Sequence, residues 1–200
     1  MRICQLTLLA ALSLLLSSIA WSTDFATGQE AYNTGDYETA LAEWRPLAKS
    51  GNADGQFGMG LLYGNGYGVE LDDFQALKWY VLAAGQGHAK AQCNIAVMHA
   101  NGWGVPQSDE QALKWYTLAA EQGVTPAQIN VGRMYAGGFG AVQDKVQGHK
   151  WFSIAAELGD NDAIFNRDIL AATMSAEEIA ESNRLRIEWM EDHQSLQAKH

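Results

Sequence analysis

The chain has 200 residues, 48% hydrophobic and 18% charged, with a formal net charge of −10. This composition excludes a disordered or collagen-like chain, and its two cysteines exclude a disulfide scaffold or a cysteine-rich structural zinc site. The acidic balance argues against nucleic acid and against adhesion to an anionic membrane surface, since both need clustered Lys and Arg.

Taken in chain order, residues 1–22 read as a signal peptide. Arg2 gives the positive start and residues 6–16 the apolar run, followed by Ser17, Ser18, Ala20 and Ser22. Cleavage is expected after Ala20 or after Ser22. Gln5, Thr7, Ser13, Ser17 and Ser18 interrupt the run, which disfavours a retained membrane anchor. Cys4 precedes the run, so it is not the acylated cysteine of a lipoprotein signal. The mature chain is expected to be periplasmic or secreted, without an integral membrane span. Its one remaining thiol, Cys93, sits in an apolar helical stretch and reads as a small buried side chain rather than a reactive or pairing one.

Residues 23–52 read as a divergent helix pair. Ala40 lies 36 residues before Ala76, and Gly51 lies 36 before Gly87. Trp44 takes the column of Tyr80, and Pro46 falls inside the second helix, where it should kink it.

Residues 53–160 carry three repeats with a 36-residue period. Trp79, Trp115 and Trp151 keep that spacing, as do Lys78, Lys114 and Lys150, and Tyr80, Tyr116 and Phe152. Each unit reads as two helices: a first over 53–63, 89–99 and 126–135, and a second over 73–86, 109–122 and 145–158. Ala76, Trp79, Tyr80, Ala83 and Ala84 form one apolar face at i, i+3, i+4, i+7 and i+8. Asp72, Ser108 and Asp144 stand where N-caps belong, and Gly87, Gly123 and Gly159 where a left-handed C′ residue belongs. Pro126 after Thr125 makes a helix start. Gly60, Ala96 and Gly132 should let the two helices approach, with the large Trp and Tyr of the second helix lying over the gap. One such pair cannot bury both faces, so stacked neighbours complete the core of an all-α solenoid of antiparallel helix pairs.

Residues 161–192 read as a half repeat and a C-terminal capping helix, and 193–200 as a tail. Arg167 occupies the column of Met59, Ile95 and Val131, which stops the apolar pattern. Ser175 and Glu178 form a capping box that opens a last helix through about Glu191.

The run A-L-K-W-Y-x-x-A-A-x-x-G, with the preceding G-x-G-V of residues 66–69, resembles the Sel-1-like repeats, 36-residue relatives of tetratricopeptide repeats. His99 and Ser108 depart from the pattern in the second unit, and Ala141 and Gly148 in the third. The resemblance implies a right-handed α-solenoid with a concave face. It implies an adaptor; exported bacterial members are typically envelope proteins that hold sensor regulators, polysaccharide-export parts, flagellar parts or host proteins. Cysteine-rich members assigned β-lactam binding or hydrolysis carry a cysteine pair per repeat, and this chain does not.

Nothing in the sequence points to catalysis. It has no H-E-x-x-H, G-x-S-x-G, S-x-x-K or phosphate-cradling G-x-x-x-x-G-K-[ST]. The glycines of residues 64–68, 102–104 and 137–140 follow helices and punctuate loops. His88, His99, His149, His193 and His200 never pair at metal-ligand spacing, so neither metal nor cofactor is expected. His88 and His200 fall at a loop and a terminus, and His99 is expected to hydrogen-bond in place of the Tyr63 and Tyr135 phenols of its column.

Two surfaces remain. The exposed side of the first helices, with Phe57, Leu61, Asn94, Val97, Asn130 and Arg133, would line a groove for a protein or peptide partner. Alternatively, Phe57 and Leu61 merely pack against the previous repeat. The loop rings Tyr67, Trp103 and Phe139 form a ladder that could hold a polypeptide or stack on a cell-wall glycan, or could simply cover the next loop. The lysine column reads as a solvated face. The leading expectation is a non-catalytic envelope adaptor; the alternatives are an envelope enzyme or a glycan-binding protein acting on peptidoglycan or β-lactams.

Overall fold

This computed structural model describes residues 24–197, with side chains through residue 193. The expected signal peptide, with Cys4, and His200 lie outside the described residues. Ten α-helices and no strand are found among those described. A divergent pair, α1 (Phe25–Thr34) and α2 (Tyr37–Lys49), precedes three regular pairs. These are α3 (Ala53–Asn65) with α4 (Asp73–Ala84), α5 (Ala89–Asn101) with α6 (Asp109–Glu121), and α7 (Thr125–Gly137) with α8 (Lys145–Glu157). A half repeat, α9 (Asn161–Ala171), and a long closing helix, α10 (Ala176–Gln197), complete the chain. From α1 to α9 each helix packs chiefly on its neighbours in sequence, the contact pattern of an α-solenoid.

The helix ends follow the side chains available to satisfy free backbone groups. Asp72, Ser108 and Asp144 each accept a hydrogen bond from the backbone N–H three residues on, as their sequence positions predict. At α5 a histidine does this work: His88 Nδ1 accepts from the Ala91 N–H at 3.1 Å. At α7 no side chain caps the helix; Val124 precedes it, Thr125 lies inside the first turn, and Pro126 supplies the preset φ. The helix α2 runs on through Pro46.

Packing within a pair differs from the sequence expectation in one respect. A Cβ on Gly60 would run into the Tyr80 ring, and one on Gly132 would lie 2.7 Å from the Phe152 ring. At both glycines the nearest ring is that of the tyrosine column rather than of the tryptophans. These pack elsewhere: Trp79 against the cluster of Trp44, Met59 and Leu62, and Trp115 against two successive clusters. Trp151 meets Trp189 edge-on at 5.8 Å. The reason is angular, since adjacent positions on a helix point about 100° apart. Tyr80 lies over Gly60, while Trp79 packs at the seam between α3 and the divergent pair before it. Leu62, Ile95 and Val131 are almost wholly buried, each contributing roughly 1.5–3 kcal/mol.

The loops between paired helices close on the preceding repeat. Gly68 and Gly104 have φ of 67° and 66°, and a Cβ on Gly104 would lie 2.8 Å from the Asp73 carbonyl carbon. Only glycine fits both the backbone angle and the approach.

The array ends differently from how it runs. The Ser175–Glu178 capping box forms reciprocally, at 2.8 and 3.2 Å, but α10 extends beyond Glu191 to Gln197. It packs on α8 rather than pairing with α9. Ser182 Oγ meets the buried His149 Nδ1 at 2.8 Å, and Trp189 Nε1 donates to the Glu121 carboxylate at 2.6 Å. Arg186 pairs with Glu157. The α9 residues Phe165 and Ile169 stay exposed. No helix among the described residues is long and apolar enough to cross a membrane.

Candidate interaction cleft

A cleft of about 250 Å³ opens where the first regular repeat meets the second. The end of α3 contributes Leu61, Gly64 and Asn65; α4 contributes Asp73, Ala76 and Tyr80. Asn94, Val97 and Met98 come from α5, and Trp103 from the loop after it. Thus Leu61, Asn94 and Val97 of the expected groove and Trp103 of the expected ladder share one depression.

The cleft floor is firm. The Tyr80 phenol is hydrogen-bonded to the Asn94 side chain, and burial pushes its pKa well above the ordinary phenol value. It therefore stays neutral and fixes the amide. Asn65 Nδ2 donates to the Leu61 carbonyl at 2.8 Å. Trp103 stands at the edge, 50% exposed.

The other groove residues are placed differently. Phe57 is buried, its ring stacked on His88 at 4.5 Å. It thus packs against the following repeat rather than the previous one, and offers a partner little surface. His88 also reaches Asp54 at 3.3 Å. Asn130 is half-buried, donating to the Pro126 carbonyl at 2.9 Å. Arg133 is exposed one repeat further along.

The three ladder rings are not equivalent. Tyr67 stacks on Tyr37, with centroids 4.2 Å apart and planes 11° apart, whereas Trp103 and Phe139 are exposed. Nor is the lysine column uniform. Lys78 lies over the Phe74 ring at 4.8 Å and Lys150 over Trp151 at 4.5 Å, while Lys114 is exposed.

The polar groups that could support chemistry do not converge. His149 contacts Ser182 and Ser153 in the interior beneath α10, away from the cleft. His99 Nδ1 is buried with no hydrogen-bond partner. Burial raises the Cys93 pKa to about 11, so the thiol is protonated and a poor nucleophile at neutral pH. No group of three His, Cys, Asp or Glu among the described residues could hold a metal ion.

Sequence reasoning missed Asp73 and Tyr80 as cleft residues, because one opens a helix and the other belongs to a packing column. The 36-residue register could have found Asp73, which occupies the position of Tyr37, the residue that stacks on Tyr67.

The fold defines a class of protein, an α-solenoid built of repeated helix pairs. The Sel1 repeat model matches residues 53–88, 89–124 and 125–160, and the chain belongs to the Sel1 repeat family. Proteins of this family are generally non-catalytic scaffolds for protein interactions. Among solved structures, the chain is similar to a Sel1 repeat protein from Oxalobacter formigenes, with 34% identity and a TM-score of 0.69. That match covers 73% of this chain and 60% of the other, so this chain spans less than two thirds of its relative's length. It is also similar to c5321, a protective antigen present in uropathogenic Escherichia coli strains displaying an SLR fold (29% identity, TM-score 0.49, covering 76% of this chain and 41% of that one). Helicobacter pylori cysteine rich protein B shares 18% identity over 64% of this chain and 92% of that one, at a TM-score of 0.52, a likeness of fold. No curated protein matches the sequence.

Proposed function

We propose that the protein is a non-catalytic adaptor of the bacterial cell envelope that holds a polypeptide partner in the cleft between its first two regular repeats. The observation that carries this reading is the cleft itself, where an exposed Trp103 stands beside Leu61, Asn94 and Val97 over a rigid Tyr80–Asn94 floor. Exposed tryptophan at the edge of a preformed depression is what binding hot spots require, because little conformational entropy is lost on contact. The export reading of residues 1–22 supports the envelope location. The exposed rings of Trp103 and Phe139 also suit a sugar face, but Tyr67 is already occupied by Tyr37, which leaves no continuous aromatic track for a glycan.

The test is capture from native envelope extract, with the full chain tagged after His200 as bait. One saturable, stoichiometric partner is expected, lost when the bait carries Trp103→Ala. Absence of any such partner, or turnover of peptidoglycan or β-lactams by the purified protein, overturns the reading.

A further inference from the structure

Each regular repeat closes its loop on the first residue of the preceding second helix, and the junctions differ in what stands there. Tyr37, Asp73 and Asp109 open α2, α4 and α6, each directly after its N-cap. The backbone approach is shared: a Cβ on Gly68 would lie 3.2 Å from the Tyr37 Cβ, and one on Gly104 3.1 Å from the Asp73 Cβ. At the first junction Tyr37 stacks on Tyr67 at 4.2 Å and covers it. At the second, aspartate replaces tyrosine, and Trp103 is left 50% exposed beside a carboxyl-bearing residue that lines the same cleft. None of the ion pairs among the described residues involves Asp73.

Resting on the cleft reading above, we propose that the Trp103–Asp73 junction receives an arginine side chain of the partner polypeptide. Its guanidinium lies flat on the indole, in the place that Tyr37 fills at the first junction, and pairs with the Asp73 carboxylate. Arginine alone among the side chains is planar, permanently charged and weakly hydrated, so it can stack and form a charge-assisted pair at once. Lysine offers a compact, strongly hydrated charge without a plane. The aliphatic stem of the arginine would run over Leu61 and Val97. The formal net charge of −10 favours the approach of a basic partner.

The experiment is to pan a displayed random dodecapeptide library against the purified protein and measure the enriched peptides in solution by calorimetry. Enriched peptides should share an arginine. Replacing it with citrulline, which keeps the shape and loses the charge, should weaken binding about tenfold or more. Trp103→Ala and Asp73→Asn should each do the same, and in Asp73→Asn the gap between arginine and citrulline peptides should close. Asp72, not Asp73, caps α4, so the asparagine variant should keep its melting curve. Peptides without a shared arginine that still need Trp103 overturn this inference and leave the cleft reading standing. So does equal binding of arginine, lysine and citrulline peptides, or indifference to Asp73→Asn. A library that yields no binder overturns the cleft reading itself.

Discussion

At the scale of single residues, His149 shows how burial ties stability to pH. It lies beneath α10 with Nδ1 against Ser182 Oγ at 2.8 Å, and burial, then the nearby charge of Arg167, hold its pKa below the ordinary value. His88 is lowered in the same direction, by burial chiefly, with Asp54 opposing. For such groups the folded state binds fewer protons than the unfolded one once pH falls below about 6.5, the unfolded value. Their contribution is therefore present above that pH and is lost as pH falls toward the depressed folded values. The urea midpoint should drop between about pH 7.5 and about pH 5.5, a window in which ordinary carboxylates stay ionised. His149→Gln should start lower and lose less across it; parallel pH slopes for the two proteins would refute this account. Glycine makes a second residue-scale point. Gly104 sits at φ 66°, against the Asp73 backbone. Gly104→Ala should destabilise by roughly 1–3 kcal/mol and disturb the cleft, which a thermal melt and peptide binding would show together.

At the scale of elements, a glutamine pair staples each of the first two regular repeats internally, and the third lacks its staple. Gln86 Nε2 donates to Gln56 Oε1 at 2.8 Å, and Gln122 Nε2 to Gln92 Oε1 at 2.7 Å. In the third repeat Leu158 stands where the donor should be, and Gln128 Oε1 is buried without a partner. Leu158→Gln should restore the bond, stabilise by about 1 kcal/mol and raise Tm by about 2–4 °C; an unchanged or lower Tm would argue against it. The elements themselves were legible because each 36-residue column repeats a physical role. Asp72, Ser108 and Asp144 announce helix starts, and Gly123 and Gly159 follow the C-caps of α6 and α8, whereas α4 stops earlier, at Ala84 with Gly85 as its cap, two residues ahead of Gly87. What the columns conceal is contact across repeats. That Tyr80 rather than Trp79 covers Gly60 depends on which way α4 rolls. That Tyr67 is covered and Trp103 exposed depends on residues 37 and 73, each 30 positions upstream. The return of α10 to α8 is written in no column, because α10 has no repeat to align with.

At the scale of the whole molecule, contacts run from neighbour to neighbour, so damage should stay local. Trp189→Ala removes both the edge-on contact with Trp151 and the hydrogen bond to Glu121, at a cost of roughly 2 kcal/mol. Hydrogen exchange should quicken in α8 and α10 and hold steady in α3 and α4; a uniform loss of protection would mean that the array unfolds as one cooperative block. The loop seam has a further consequence. The loop of each junction comes from one repeat and the residue it closes on from the repeat before: Gly68 on Tyr37, Gly104 on Asp73, Gly140 on Asp109. Recognition is thus a property of adjacency. Transposing intact repeats would conserve every helix pair and rewrite every junction, so shuffling whole units would give such arrays new partners without asking them to find a new fold.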